Sequence, residues 1–327
     1  MKKVCFIIPY FGKLPNYFQL FLKSCCLNPD FNWLIFTDDD TNYDYPSNIK
    51  RIILSFSELR KLIAEKFDFE IVLPRPYKLC DFRPAYGYIF EGYIVGYQFW
   101  GYCDLDTIMG NLSYFLTDSL LADYDKIFCL GHLSLFRNSE EINTLFMSDV
   151  KGRRLYKEVF QCELNQWFDE SWKDGFNINQ IFVNKGKRIY EKDLSLNPSR
   201  GYGKFRKTVF QGLDETPINR GYKVEEYKDA LYLWESGNIC RYFMDDGILI
   251  REDYPYIHLQ ARKMRVSPGV VTADVYKIVP DEFLPIEEYP ITADSFCKIK
   301  RTGHCRHIQR LYWKKIVNKC NKILHLK

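Results

Sequence analysis

The sequence contains no apolar run of the about 18 residues needed to cross a bilayer, and its 11 cysteines form no Cys-x-x-Cys pair. The first absence leaves no predicted transmembrane helix. The second removes the usual finger and ribbon spacings for zinc. An odd number of scattered cysteines also argues against a disulfide framework. The opening Met1-Lys2-Lys3-Val4 carries no secretory signal pattern, so reduced thiols and a cytoplasmic location are expected. Internal repeats, low-complexity tracts and proline-rich linkers are missing too. Acidic residues are absent from Lys298 to Lys327, where 10 of the 46 Lys and Arg fall; the remainder carries 36 against 42 Asp and Glu. The formal charge of +4 therefore comes from the tail alone.

What is present fits a large mixed α/β core. The 327 residues are 46% hydrophobic and 27% charged, ordinary for a globular chain, but 17% aromatic, which is high. Aromatic faces suit sugar rings, and they suit any packed interior equally. Val4-Cys-Phe-Ile-Ile-Pro9 reads as a buried first strand. Leu14, Tyr17, Phe18, Phe21, Leu22 and Cys25 fall on one helical face over Leu14 to Cys26. Trp33 to Thr37 and Ile49 to Leu54 predict two more strands, and Ser57 opens a further helix. This alternation predicts a mostly parallel sheet flanked by helices. Lys78 to Tyr97 reads as helix, Asp125 to Phe136 as a strand pair, Arg153 to Val183 as mainly helical and Arg188 to Gly221 as loops. Tyr254 to Leu259 returns to a strand. The expected division is a catalytic domain over 1–296, with a nucleotide-binding half over 1–110 and an acceptor half over 111–296, followed by a basic amphipathic helix over 297–327.

Ligands in such sheets lie at the carboxyl ends of the strands. Three strand ends converge by this rule: Pro9-Tyr10-Phe11-Gly12, Thr37-Asp38-Asp39 and Asp104-Leu105-Asp106. Two carboxylates at i and i+2 can share one hard divalent cation, and that cation can neutralise a diphosphate. Lys78-Leu-Cys-Asp-Phe-Arg83, a Tyr- and Gly-rich stretch, and Tyr102-Cys-Asp-Leu-Asp106 follow in order. This layout resembles the GT-A glycosyltransferases of capsule and O-antigen synthesis, and more distantly the mannosyltransferase and clostridial-toxin group. The resemblance covers about residues 1–140. It implies a Rossmann-like GT-A fold, Mn²⁺ or Mg²⁺ on Asp104 and Asp106, and donor contacts at Lys78, Asp81 and Arg83. This chain departs from the pattern where Asp81 and Arg83 stand two apart rather than three, and where Trp100-Gly101 replaces a double glycine.

The resemblance also implies a late histidine ligand, His258 in Ile257-His258-Leu-Gln-Ala-Arg-Lys263, with Arg262 or Lys263 on the leaving diphosphate. Asp38 and Asp39 would meet the nucleoside, and Pro9 and Tyr10 the base, with UDP the expected nucleotide. Each has a plainer alternative: a strand histidine, a solvated acidic turn, a packed ring. Asp169 and Glu170 are candidates for the base that takes an acceptor proton, or else helix-capping acids. His132 is a candidate for the acceptor pocket, with core packing the alternative, and Asp245-Asp246-Gly247 reads as a turn. Cys297, His304, Cys305 and His307 match no usual zinc spacing.

Two other functions compete. Asp104-Leu-Asp106-Thr also resembles the nucleophile motif of haloacid-dehalogenase-type phosphatases, although that motif ordinarily closes the first strand of its domain. A membrane-associated scaffold without catalysis is the third reading. The tail places Ile308, Leu311, Tyr312, Ile316, Cys320, Ile323 and Leu324 on one stripe among basic residues. Such a helix suits an anionic membrane surface and an acceptor glycan on a lipid carrier, on the inner face of the cell membrane. No nucleic-acid-binding pattern accompanies it.

Overall fold

The structure is a computed structural model of the chain and describes residues 2–170, 177–212, 222–301 and 306–324. The first strand, β1 (Lys2–Pro9), has Val4 to Ile8 sealed from solvent on both faces. Alternate residues serve two cores, as strand geometry requires. Val4, Phe6 and Ile8 pack with Phe18, Phe21 and Leu22 of helix α1 (Phe18–Cys26). Cys5 and Ile7 face the opposite core, which holds Leu59 and Ile63 of α2 (Phe56–Ala64). Ser55, not Ser57, starts α2. Its hydroxyl accepts the Glu58 N–H at 3.2 Å while the Glu58 carboxylate accepts the Ser55 N–H at 2.7 Å, a reciprocal capping box.

Strands β2 (Phe31–Thr37) and β3 (Ile49–Ile53) extend the sheet in parallel. The segment expected as an α-helix from Lys78 to Tyr97 is different. Pro76–Ala85 forms a 3₁₀ coil that contains Pro84, and only Tyr86–Ile89 makes an α turn. A proline inside the run removes an N–H donor and excludes the α conformation before it, which explains the correction. The chain then enters β4 (Tyr97–Cys103), parallel to β1. Next come β5 (Thr107–Met109), β6 (Lys126–Leu130), β7 (Leu133–Arg137) and β8 (Ile189–Tyr190). The sheet order is β3-β2-β1-β4-β7-β6-β8, with β7 antiparallel to both its neighbours, so the sheet is mixed.

Strand β5 leaves this sheet. Between residues 188 and 224, mainly expected as loops, lie three short antiparallel strands, β9 (Asn197–Pro198), β10 (Lys207–Phe210) and β11 (Tyr222–Val224). A larger sheet that the sequence pattern did not reveal follows. It contains β12 (Leu231–Glu235), β13 (Asn238–Asp245) and β14 (Ile248–Tyr254). After β15 (Tyr256–His258) it is completed by β16 (Arg265–Val266), β17 (Val275–Val279) and β18 (Glu282–Pro285). Asp246 and Gly247 turn between β13 and β14 with positive φ, so the Asp-Asp-Gly reading as a turn holds. Trp234 ties this sheet to the first half by donating its indole N–H to the Met109 carbonyl at 3.1 Å.

Helix Ala293–Lys298 spans the boundary expected at 296, and its Phe296 is buried with Leu231, Leu233 and Cys240. The carboxy-terminal helix runs from His307 to Leu324. His307 is buried against the Arg200 carbonyl, whereas Tyr312, Trp313, Ile316 and Val317 are exposed. Of the weak zinc group, His304 and Cys305 lie outside the described residues.

Gly101 lies where β4 meets β7 most closely: a Cβ there would sit 2.4 Å from the Ser134 carbonyl oxygen and 2.6 Å from Leu135. Backbone cannot yield as a flexible side chain can. Gly101→Ala is expected to cost about 1–3 kcal/mol in denaturant unfolding, and an unchanged midpoint would contradict this packing.

Candidate functional site

At the end of β4 the Asp104 N–H makes a last rung to the His132 carbonyl, 2.9 Å away, and the Thr107 hydroxyl closes the turn on the Asp104 carbonyl at 2.7 Å. Antiparallel pairing of β5 with β15 sets His258 opposite Thr107. Beyond His258 the chain wraps Asp106. The Leu259 N–H donates to the Asp106 carbonyl at 2.7 Å, and the Ala261 N–H donates to its carboxylate. Gln260 and Ala261 both take positive φ to make this wrap. The outcome is that Asp104, Asp106 and His258 offer one ligand atom each, all within 4.8 Å of one another.

The imidazole Nε2 of His258 lies 3.4 Å from Asp106 Oδ1 and 3.9 Å from Asp104 Oδ2. Burial would lower the His258 pKa, but Asp106, Asp104 and Glu170 outweigh it and raise it above the ordinary histidine value. Burial likewise pulls Asp106 up, yet His258 and the Ala261 N–H bring its carboxyl down to about 2. Asp106 and His258 thus favour each other's charged forms. Two carboxylate oxygens and one imidazole nitrogen are a donor set suited to Mn²⁺, and less closely to Mg²⁺. His132 stacks on His258 with ring centroids 4.4 Å apart, and burial followed by that neighbour holds it well below the usual histidine range. Its Nδ1 is 3.1 Å from the Tyr256 hydroxyl.

Arg83 links this trio to a second acidic pair. It donates to the Asp104 carboxylate, to Asp169 at 2.9 Å and to the Gly131 carbonyl at 2.7 Å. Glu170 accepts the Gly131 N–H at 2.7 Å. A Cβ at Gly131 would stand 2.8 Å from the Glu170 carboxyl carbon and 2.9 Å from an Asp169 oxygen, so a larger residue there would push the acidic pair aside. Among the described residues Asp169 and Glu170 cap no helix, and Asn177 caps Ile178–Asn184. Burial raises the Asp169 carboxyl to about 7 despite Arg83, and it raises Glu170 as well.

Arg83, Asp104, Asp106, His132, Asp169, Glu170 and His258 line one crevice of about 1380 Å³, together with Pro9, Tyr10, Arg262 and Lys263. Four expected contacts are placed elsewhere. Lys78 and Asp81 form a sealed ion pair at 2.7 Å with no exposed surface. Lys78 also donates to the Val159 and Leu164 carbonyls, and Asp81 accepts the N–H groups of Gln166 and Phe168. Their hydrogen-bonding capacity is spent inside the fold, which removes them from direct donor contact. Asp38 accepts the Gly12 N–H at 2.7 Å, and Asp39 accepts those of Leu14 and Thr41. Both carboxylates shape the turn after β1 instead of lining the crevice. Arg262 reaches the crevice wall but donates to the Ser199 and Tyr202 carbonyls, each at 3.0 Å.

The sequence reading missed Arg200, Arg265 and Arg310, which also line the crevice, and the rings of Tyr77 and Trp167. Adjacency to Lys78 and to Phe168-Asp169 was the available signal for the two rings. Arg310 comes from the carboxy-terminal helix and gave none. A second depression, lined by Lys2, Asp30, Tyr97 and Arg137 among others, opens at the opposite ends of β1 and β4 and contains no member of the acidic clusters.

The chain belongs to DUF6625, a family of unknown function whose pattern matches residues 6–287. No curated protein matches it. Among solved structures it is similar to an active-site mutant of LgtC, at 11% identity over 61% of this chain and 76% of that one, with a TM-score of 0.33. It is also similar to the galactosyltransferase LgtC in complex with donor and acceptor sugar analogues, with the same identity and coverage and a TM-score of 0.30. Superpositions this loose transfer no residue roles, so the chemistry of the crevice has to be argued from its own geometry.

Linkage gives a test of the Asp169 environment. Its carboxyl is held near 7, against about 4 when unfolded. Across that window the folded protein keeps a proton that the unfolded chain has released, so this group's contribution to stability falls as pH rises. Asp169→Asn cannot titrate. The Tm difference between variant and parent is expected to move in the variant's favour from about pH 4 to about pH 7; a difference independent of pH would contradict the buried, proton-holding carboxyl.

Proposed function

We propose that this chain is a metal-dependent glycosyltransferase of the GT-A kind. It moves a sugar from a nucleotide diphosphate, with UDP the expected nucleotide, to a glycan or lipid-linked acceptor of a bacterial surface polysaccharide such as capsule or O-antigen. The observation that carries this reading is the convergence of Asp104, Asp106 and His258 at the carboxyl edge of the sheet. Mn²⁺ or Mg²⁺ would be held by these three, and a bound ion supplies the charge that lets a diphosphate leave.

The chain's own residues divide the remaining work. Pro9 and Tyr10, at the end of β1, flank the nucleoside. Lys263, on the crevice wall, offsets diphosphate charge. Arg83 orients the donor sugar and holds Asp104 and Asp169 in register. Asp169 or Glu170 takes the acceptor proton, a role to which carboxyls with raised pKa are suited.

The competing readings fit less well. Asp104 as a phosphatase nucleophile would have to attack while paired with Arg83, and it follows the fourth strand of the chain, not the first. A scaffold leaves two partly exposed carboxylates and a buried imidazole without a purpose at a strand edge.

For localisation, among the described residues no helix is long and apolar enough to cross a membrane. The exposed Tyr312, Trp313, Ile316 and Val317 lie on a helix that also carries Lys314, Lys315 and Lys319. This composition supports peripheral docking on the anionic inner face of the cell membrane. Replacing Tyr312 and Trp313 together by alanine is expected to release the protein from anionic vesicles, read by co-sedimentation; equal retention would contradict the docking.

The direct test is a calorimetric screen of UDP-, GDP- and CMP-sugars with and without Mn²⁺. UDP-sugar binding is expected to require the ion, and Asp106→Asn is expected to weaken it by at least about tenfold with the fold intact by circular dichroism. Nucleotide binding indifferent to Mn²⁺, or undisturbed in Asp106→Asn, contradicts the function.

A further inference from the structure

We propose that Tyr77 and Trp167 form an aromatic rest for a pyranose ring on the Asp104 side of the crevice; this inference rests on the transferase reading and states where the sugar lies. Both rings line the crevice, and they are 69% and 43% exposed. Among the described residues neither packs on another aromatic ring.

Trp167 is also held in an unfavourable backbone state, with φ of 52°. A bulky side chain rarely adopts this conformation, and it persists only where the surroundings impose it. They do so here through one buried carboxylate. Asp81 accepts the N–H groups on either side of Trp167, from Gln166 at 2.9 Å and Phe168 at 3.1 Å. The Trp167 carbonyl in turn accepts the Glu170 N–H at 3.1 Å. Asp81 is paired with Lys78, the residue after Tyr77, and the Tyr77 carbonyl accepts the Asn165 amide at 3.1 Å. A sealed ion pair is costly to desolvate. This one fixes the backbone on either side of Trp167 and lies next in sequence to Tyr77.

Location separates this pair from the ring after β1. Tyr77 lies in the field of Asp104, Arg83 and Asp169, whereas Tyr10 lies in that of Asp106 and Asp39. The two regions therefore sit by different carboxylates of the Asp-x-Asp turn. Tyr77 and Trp167 belong to the wall that carries Arg83, Asp169 and Glu170, where the Tyr102 ring is buried under the guanidinium and theirs are exposed. A pyranose offers an apolar C–H face and a rim of hydroxyls. The rings suit the face, and the carboxylates and guanidinium suit the rim. The ring at this wall can belong to the donor or to the acceptor, and two arms of one experiment separate these.

The full-length protein with Mn²⁺ is titrated with UDP, UDP-glucose and UDP-galactose. In parallel, with UDP saturating, methyl glucoside, galactoside, mannoside and N-acetylglucosaminide are probed by saturation-transfer NMR and titration. Tyr77→Ala and Trp167→Ala are each expected to lose about tenfold of the sugar-dependent affinity, with UDP alone unchanged within about twofold, and Trp167→Phe is expected to keep most of it. Loss in the UDP-sugar arm assigns the wall to the donor, and loss in the methyl-pyranoside arm assigns it to the acceptor. Tyr77 is exposed enough that its alanine variant keeps the test valid if Trp167→Ala unfolds. The proposal is overturned if UDP alone weakens equally, if the variants match wild type in both arms, or if wild type with intact UDP–Mn²⁺ binding shows no sugar-dependent term. Ring-dependent pyranoside binding without UDP–Mn²⁺ binding would instead remove the transferase reading and leave the aromatic rest standing.

Discussion

Three backbone pairings carry the site: Tyr256 with Met109, Ile257 with Ile108 and His258 with Thr107. This short ladder joins segments of the chain far apart in sequence; Ala261 meets the Asp106 carboxylate across 155 positions. Strand side chains alternate, so a slip of one residue would turn His258 to the other face and leave two carboxylates without their imidazole neighbour. The ladder is anchored from both halves. The Met109 carbonyl accepts from Trp234, and the Met109 N–H donates to Ser24 of α1 at 3.0 Å. The late β-sheet therefore serves the crevice, because it carries and braces the strand that delivers the histidine.

Around that ladder the molecule concentrates charge where hydrophobic packing would be simpler. Arg83, Asp104, Asp106, Asp169, Glu170 and His258 share one wall, and Lys78 with Asp81 lies sealed behind it. Desolvating such groups is unfavourable unless each finds a partner. Partners are present: guanidinium to two carboxylates, backbone N–H groups to Asp81 and Glu170, imidazole to Asp106. Gly131 permits the close approach of the acidic pair, and the positive φ values at Gln260, Ala261 and Trp167 place further backbone strain at the crevice. Strain and charge gathered at one strand edge are the physical signature of a site maintained for chemistry rather than for stability.

The parts of this arrangement legible in the sequence were those written in local pattern. Continuous apolar runs revealed β1 and β2, and the aromatic strand ending in Asp104 and Asp106 marked the crevice edge. His258 was readable as a late histidine on an apolar strand. Three features were hidden for definite reasons. The late sheet includes strands such as Ile248–Tyr254 that carry Arg, Glu and Asp, whose charges are met by ion pairs such as Arg241 with Glu252 at 2.8 Å. Pro84 turned a helical-looking stretch into a 3₁₀ coil. Lys78, Asp81, Asp38 and Asp39 looked like ligand contacts because sequence does not distinguish a charge open to a substrate from one absorbed by backbone amides and a buried partner.

The metal role proposed for Asp104, Asp106 and His258 asks three side chains from two distant segments to hold one divalent ion. A crystal of the full chain soaked with Mn²⁺ and UDP, with data collected at the manganese edge, tests it most directly. An anomalous peak is expected within ligand reach of Asp104, Asp106 and His258, with the diphosphate beside it. A peak elsewhere, or clear UDP density with no metal at these residues, would contradict it.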